Sequence, residues 1–318
     1  MAILRVTNNA RGRIRTCTAF RPADFKSPAS TVSPPGLGAE TCSLRPPSAR
    51  PRRSVQAPAG GAVEPEKSLA IDPEFGRGYD GLGTIALNYD HDVAAAARHY
   101  EHALALDPTN IDILNNASFV AQVLGRLGQA IEMQEYAATR DPASPQSHSV
   151  LFYSYYLAGR YDDAVEAARI SLSLSPGFLG AQANIAQALL SKGEREAALA
   201  AVRQEPSEIV KLPLLAMTLH ALGQHADSDA ALAQMIAKYE QSAAVVIAGV
   251  FAYRGESDRA FEWLEKAVAY HDPSITYLGV DPMFTSSRKD PRWLPLLTRL
   301  GLAPEQLAAI SFEVVLPK

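Results

Sequence analysis

Arg140-Asp141-Pro142 repeats the pattern of Leu106-Asp107-Pro108 and anticipates Leu174-Ser175-Pro176, and each interval between these prolines is 34 residues. Each interval also holds a turn glycine that is followed five residues later by an alanine: Gly125 and Ala130, Gly159 and Ala164, and Gly193 and Ala198. A proline fixes φ and lacks a backbone N–H, so it ends one helix or occupies the first turn of the next. The recurrence therefore predicts two helices per unit, joined at a glycine and bounded by a proline.

The repeat extends on both sides of this stretch and covers residues 66–273. A period of 34 residues with two helical segments is the signature of tetratricopeptide repeats, and residues 66–309 resemble bacterial members of that family. The resemblance implies an all-α fold, a right-handed α-α superhelix of about six helix-turn-helix repeats with a C-terminal helical cap. Three segments are expected: a basic segment at 1–65, an array at 66–273 that begins with a partial repeat, and a capping region at 274–318.

Three units depart from the regular pattern. The first complete unit spans 35 residues, from Pro73 to Pro108, and we place the extra residue in the loop at 88–91. The fourth unit ends early at Pro206, so its second helix should be short. In the fifth unit Ser228 takes the place of the alanine, which keeps a small residue where the paired helices approach each other.

The period ends after Pro273. A solenoid needs a terminal element that covers its last apolar face. Trp293, Leu296 and Leu297 are suited to that role, and they lie in one of two short predicted helices. We therefore expect this region to cap the array.

The net charge of −4 on the 318-residue chain is the sum of two opposite parts. Residues 1–60 hold ten Lys and Arg against Asp24 and Glu40, about +8, so the rest of the chain sums to about −12. An acidic array disfavours nucleic acid as a partner of the folded region, because phosphate binding needs positive surface. No run of 18 apolar residues is present, and a membrane partner is not expected. Both cysteines, Cys17 and Cys42, lie in the basic segment, and we expect a cytoplasmic protein.

Residues 1–65 are rich in proline and arginine and show no apolar period, so we expect them to be disordered. A nucleic-acid-binding tail and an organellar transit peptide are two interpretations of this composition. A third is spurious translation: the stretch at 13–22 resembles peptides read from the strand opposite a bacterial transfer-RNA gene, and Ile14-Arg15-Thr16 matches one frame of its T-arm. Residues 66–73 resemble the end of a repeat whose first helix is missing, which indicates a longer ancestor.

One part of the array resembles a particular subgroup. The stretch from Arg254 to Leu264, followed by Val280-Asp281-Pro282 and Asp290-Pro291-Arg292, is similar to the C-terminal half of multidomain bacterial signalling proteins. In that subgroup the N-terminal half is an adenylate cyclase, a protein kinase or a winged-helix transcription regulator. The resemblance implies a regulatory or sensor half of such a protein, truncated so that its effector domain is lost.

The sequence carries no enzyme signature, and we predict neither a catalytic residue nor a cofactor or metal. His99 and His102 lie three apart beside Glu101, but no third ligand is near them in sequence. Asp162 and Asp163 suit the start of a helix, where carboxylates interact favourably with the dipole. A binding function is therefore favoured over catalysis.

The family resemblance places the ligand in a concave groove, which the first helix of every repeat lines. The side chains of those helices that are not needed for packing are Arg77, Asp80, Thr84, Asp112, Asn115, Asn116, Phe119, Gln122, Gln146, Ser149, Tyr153, Tyr156, Asn184 and Gln187. A groove of amides and tyrosines suits an extended or helical peptide, since amides pair with its backbone and aromatic rings supply contact area. Only Arg77 among them is basic, which disfavours a partner held by its C-terminal carboxylate. We predict a non-enzymatic scaffold that binds a protein or peptide, with the regulatory half of a signalling protein as the alternative.

Overall fold

The computed structural model describes residues 64–317, and this part of the chain contains helices and no strand. The predictions for residues 1–63, namely their disorder, their spurious origin and the environment of the two cysteines, lie outside the described residues. Fifteen α-helices follow one another between residues 64 and 317, and their bounds are α1 (Pro65–Ile71), α2 (Gly76–Ile85), α3 (Val93–Leu106), α4 (Ile111–Val123), α5 (Leu127–Arg140), α6 (Pro145–Leu157), α7 (Tyr161–Leu174), α8 (Ala181–Ser191), α9 (Arg195–Gln204), α10 (Glu208–Ala221), α11 (His225–Tyr239), α12 (Ala244–Tyr253), α13 (Ser257–Tyr270), α14 (Trp293–Arg299) and α15 (Pro304–Ala308).

Twelve of these helices form six pairs, from α2 with α3 to α12 with α13. Within each pair the two helices pack together, and each second helix also packs against the first helix of the next pair. The all-α prediction of six helix-turn-helix units is confirmed. The buried side chains of all six units form a single continuous core.

Glycine makes the turn inside five of the six pairs. Each turn glycine has a positive φ, between +71° and +83°, a conformation that a side chain with a Cβ adopts only with strain: Gly125, Gly159, Gly193, Gly223 and Gly255. The residue after each glycine donates its backbone N–H to a carbonyl five residues earlier, as Arg126 does to Ala121 at 2.8 Å. This is the hydrogen bond of the Schellman motif, which satisfies a carbonyl left free at the helix end.

The first unit makes its turn differently, and the difference explains its extra residue. One turn of π-helix, Ala86–Asp90, follows α2, and His91 then takes the left-handed conformation at φ 55°. The N–H of Asp92 donates to Ala86 O at 2.8 Å and closes the turn. A π turn accommodates one more residue than an α turn. The 35-residue interval is thus absorbed between residues 86 and 92.

A small residue occupies the same position in every second helix and is fully buried there. These six residues, each 0% exposed, are Ala96, Ala130, Ala164, Ala198, Ser228 and Ala260. Ser228 donates its hydroxyl to Ala216 O at 2.7 Å, so the one polar member of the set has a partner. A larger side chain here would force the paired helices apart.

The fourth unit has the short second helix that its early proline predicts. Helix α9 has 10 residues, whereas the second helices of the first three units have 14. Glu205 follows it and is 1% exposed, and its carboxylate accepts the N–H groups of Gly180 and Ala183 at 3.3 and 3.2 Å. A carboxylate at the start of α8 satisfies N–H groups that have no partner inside the helix.

Helix α14 covers the end of the array by packing on α13. The rings of Trp293 and Phe261 meet edge-on at 6.4 Å. Arg292 lies over the Phe261 ring and pairs with Asp258 on α13 at 3.0 Å and with Asp290 at 2.8 Å. Hydrogen bonds from Arg292 hold the pKa of Asp290 down at about 2. The residues after the last unit therefore include a helical cap.

Candidate partner-binding surface

The inner face of the array is formed by the first helices of the six units, each of which contacts the next. The side chains predicted to line it differ in exposure. Two are exposed, Arg77 and Asp112; seven are half-buried, Asp80, Thr84, Asn116, Phe119, Gln146, Tyr153 and Gln187; and five are buried, Asn115, Gln122, Ser149, Tyr156 and Asn184. The inner face is thus open in one part and covered in another.

Residues 273–285, which we call the groove insert, lie on the covered part. The insert contains two short 3-10 helices, Pro273–Tyr277 and Pro282–Phe284. Thr276 Oγ1 donates to Leu87 O in the first unit at 3.1 Å. The ring of Tyr277 meets Phe119 of α4 edge-on, with centroids 6.3 Å apart. The chain therefore returns from its last unit to its first two.

The rest of the insert lies against α6 and α12. Met283 packs on Gly249 so closely that a Cβ at that glycine would collide with the methionine methyl. Asp281 lies near Tyr153 and Tyr156. Burial raises the pKa of Tyr153 to about 12, and it also raises the pKa of Tyr156, while the Asp281 charge contributes to both shifts. These tyrosines are neutral hydroxyl groups beneath the insert.

Several of the buried amides and hydroxyls form hydrogen bonds within the array. Gln122 is 0% exposed and donates to Ser154 Oγ at 3.0 Å. Tyr156 is hydrogen-bonded to Ser191 and Gln187, and both bonds oppose the rise in its pKa. The family resemblance predicts that Gln122, Tyr156 and Gln187 face a partner, and in this structure they also connect neighbouring first helices.

The open part of the inner face carries five polar side chains that we call the open strip: Arg77, Asp80, Asp112, Asn116 and Gln146. Two cross-links between α2 and α4 organise it. Arg77 pairs with Asp112 at 2.5 Å, and Asn116 Nδ2 donates to Asp80 Oδ1 at 2.9 Å. Burial raises the pKa of Asp80, whereas the hydrogen bond from Asn116 lowers it. The strip is a preorganised row of carboxylates and amides.

A shallow cleft of about 280 Å³ adjoins the open strip between the starts of α4 and α6. It is lined by Thr109, Asn110, Ile111, Asp112, Asn115, Asp141, Ser144 and Gln146. Its polar side chains are two carboxylates, three amides and two hydroxyl groups. The two carboxylates favour a positively charged group in the cleft, and the amides can both donate and accept.

The histidines considered as metal ligands lie in an aromatic cluster. The rings of His102 and Tyr79 meet edge-on at 4.2 Å, and His99 lies 6.4 Å from the same tyrosine. Burial lowers the pKa of His99. Residues 64–317 contain no group of three or more His, Cys, Asp or Glu side chains arranged to hold a metal ion. None of the helices in that range is long and apolar enough to cross a bilayer.

Three residues of the groove insert shape the inner face, and the sequence did not assign them to it: Thr276, Tyr277 and Asp281. They lie in the region assigned to capping, beyond the last repeat. A signal was present in the aromatic side chains of Phe119 and Tyr153, whose large apolar surfaces on an inner face call for a cover.

Comparison with solved structures supports the fold through one match with a TM-score above 0.5. No protein-family model and no curated protein matches the sequence. A tetratricopeptide repeat protein from Parabacteroides merdae aligns with a TM-score of 0.53 at 16% identity, over 71% of this chain and 90% of that chain. A thermophilic TPR protein from Thermus thermophilus gives a TM-score of 0.49 at 18% identity, over 59% of this chain and 99% of that chain. Pseudomonas aeruginosa PilF gives 0.45 at 18% identity, over 61% and 86%.

Proposed function

Because the chain has the fold of a tetratricopeptide-repeat array, we propose that it is a non-catalytic scaffold that binds a protein or peptide partner through the open strip. The observation that carries this proposal is the pair of cross-links Arg77–Asp112 and Asp80–Asn116. They hold exposed and half-buried polar groups at fixed positions on adjacent first helices. Carboxylates and amides held in this way suit the backbone and side-chain donors of a bound segment.

Charge favours a partner segment with basic residues. The open strip and its cleft carry the carboxylates of Asp80, Asp112 and Asp141 against the guanidinium of Arg77. Negative surface attracts Lys and Arg and repels phosphate, so the proposal places a protein there rather than a nucleic acid. It keeps the cytoplasmic location expected from the sequence.

The test is capture from a cell extract by the full chain and by the double variant Asn116→Ala, Gln146→Ala. Each amide contributes about 0.5–1.5 kcal/mol to binding, so the two together contribute about 1–3 kcal/mol, which corresponds to about 5- to 150-fold in affinity. We expect the double variant to lose proteins that the wild type retains. The matched control is Gln234→Ala, which removes an exposed amide on α11, away from the strip. Equal capture by the wild type and the double variant would reject the assignment of the strip.

A second candidate function is the regulatory half of a bacterial signalling protein. The residues behind that resemblance build the end of the array: Arg254 is 9% exposed and pairs with Asp229 and Glu256 at 2.5 and 2.7 Å, and Arg292 joins α13 to the cap. These contacts support the resemblance between the last unit of this chain and that of the signalling proteins. The nucleotide sequence upstream of the Ala70 codon tests it, because a cyclase, kinase or winged-helix frame should continue into the array.

A further inference from the structure

Residues 310–316 form an extended segment, which we call the tail, and its exposure alternates along the chain. Phe312 is 1% exposed, and Ile310, Val314 and Leu316 are half-buried against the core. Val315, on the opposite side, is 87% exposed. An extended peptide directs alternate side chains to opposite faces. One face of the tail is therefore apolar and seated on the array.

Side chains from the first two units hold the tail by its backbone. Arg126 donates from Nη1 to Phe312 O at 2.9 Å and from Nη2 to Ile310 O at 2.5 Å. Gln129 Nε2 donates to the same Phe312 carbonyl at 3.4 Å. Glu101 Oε1 accepts the N–H of residue 313 at 2.6 Å.

On the tail, all four hydrogen bonds are made by backbone C=O or N–H groups, which nearly every amino acid carries. They recognise an extended backbone rather than a particular sequence. Selectivity comes from the buried aromatic at position 312 and the apolar residues at alternate positions. Sites that bind extended peptides work in the same way: hydrogen bonds to the peptide backbone give affinity, and pockets for alternate side chains give specificity.

We propose that the surface around Glu101, Arg126 and Gln129 is a second peptide-binding site, which the chain occupies with its own tail, and that its partner is an extended segment of another protein with apolar residues at alternate positions. The site belongs to α3, α5 and the turn before α5, so it is separate from the open strip. The tail therefore competes with such a partner for the site.

The contacts of the tail also indicate what a partner needs in order to bind this site more tightly than the tail does. A second copy of the chain would offer the same contacts without the high effective concentration of a tethered segment, so the attached tail wins over it. Residue 313 is an exposed glutamate whose backbone N–H donates to the Glu101 carboxylate at 2.6 Å, so the side chain at this position starts close to a negative charge. A segment with Lys or Arg after its buried aromatic places a positive charge within reach of the Glu101 carboxylate, where this chain has a negative one.

The test is binding of fluorescein-labelled peptides to the full chain, followed by fluorescence anisotropy. One peptide has the sequence of residues 309–317, and a second carries Lys in place of Glu313. Phe312→Ala removes the anchor of the resident tail, so we expect both peptides to bind this variant at least ~10-fold more tightly than the wild type. The Lys peptide should bind about threefold more tightly than the first, with the gain lost in high salt.

Three further variants sharpen the result. Glu313→Lys in the chain should hold the tail more tightly and weaken binding of the Lys peptide, which gives the opposite sign without removing a buried side chain. Arg126→Ala added to Phe312→Ala should abolish the gain. Asn116→Ala with Gln146→Ala should bind both peptides as the wild type does, because the open strip is a different surface.

The proposal is overturned if Phe312→Ala, shown to be folded by circular dichroism, gains no peptide affinity. It is also overturned if Arg126→Ala leaves the gain intact, or if Glu313→Lys does not weaken binding of the Lys peptide. A peptide-independent dimer of Phe312→Ala, seen by light scattering, with no peptide bound, would assign the surface to a second copy and reject a separate partner.

Discussion

Replacing Thr276 by Val tests the contact between the groove insert and the first unit. Thr276 is 2% exposed, and its hydroxyl lies 3.1 Å from Leu87 O and 3.1 Å from His91 Nδ1. A carbonyl only accepts, so the single hydroxyl proton goes to Leu87 O. His91 Nδ1–H must then be the donor to the hydroxyl oxygen. The hydroxyl therefore serves two partners that lie 185 or more residues away in sequence.

Val has nearly the shape of Thr, so the substitution removes hydrogen bonds without leaving a cavity. A buried group that loses its partner costs about 1–3 kcal/mol, and this applies to Leu87 O, whose residue is 1% exposed. His91 is half-buried, so water replaces part of its lost bond, and its contribution is smaller. We expect Thr276→Val to lower the free energy of unfolding by roughly 2–3 kcal/mol.

Urea denaturation of the wild type, Thr276→Val and Thr276→Ser measures this effect. The serine variant keeps the hydroxyl and loses one methyl group, which costs about 1 kcal/mol. Val should be the more destabilising of the two, although it retains more apolar surface. Amide hydrogen exchange in α2 should also accelerate in the valine variant alone. Serine and valine variants of equal stability would refute the role assigned to the hydroxyl.

Two other predictions concern pH and helix packing. Burial lowers the pKa of His91 below its ordinary value, so the unfolded chain binds a proton more readily and the free energy of unfolding should fall as the pH drops below about 6.5. His91→Asn suits the left-handed position and keeps an N–H donor, and it should show a smaller loss of stability between pH 7 and 5. An unchanged pH profile would contradict this. Gly83→Ala should destabilise by about 1–2 kcal/mol, because the new Cβ would lie 2.8 Å from the fully buried Tyr100 ring, which outweighs a gain in helix propensity of about 1 kcal/mol. Gly128 has open space around it, so Gly128→Ala should be neutral or slightly stabilising, and thermal melts of the two variants and the wild type measure the difference.

The repeating part of the fold was predictable from the sequence for a physical reason. Each unit packs on its neighbours through contacts that are close in sequence, and those contacts recur every 34 residues. The turn glycines, the small residue of the second helix and the short fourth unit could all be read from this period. The π turn at 86–90 corresponds to the one extra residue in the 35-residue interval of the first unit.

The groove insert and the tail were not predictable in the same way. Their contacts join Thr276 to Leu87 and Phe312 to Arg126, across more than 180 residues, and nothing recurs that would reveal them. For this reason the hydrogen bonds that Gln122 and Tyr156 make within the array were not expected when the family resemblance placed both residues in the groove. The alternating apolar residues of the tail were visible, but an alternation of four residues does not say which surface it meets.

The bond between Thr276 and Leu87 constrains how this protein can change over evolution. An open array of repeats tolerates duplication or deletion of whole units, because each new unit needs only its two neighbours. Here the distance across the inner face between residues 87 and 276 is set by the number of units that separate them. Adding or losing a unit would move the insert away from its partner. Variation in length should therefore be found before residue 86 or after residue 317, whereas the count of units between them stays constant.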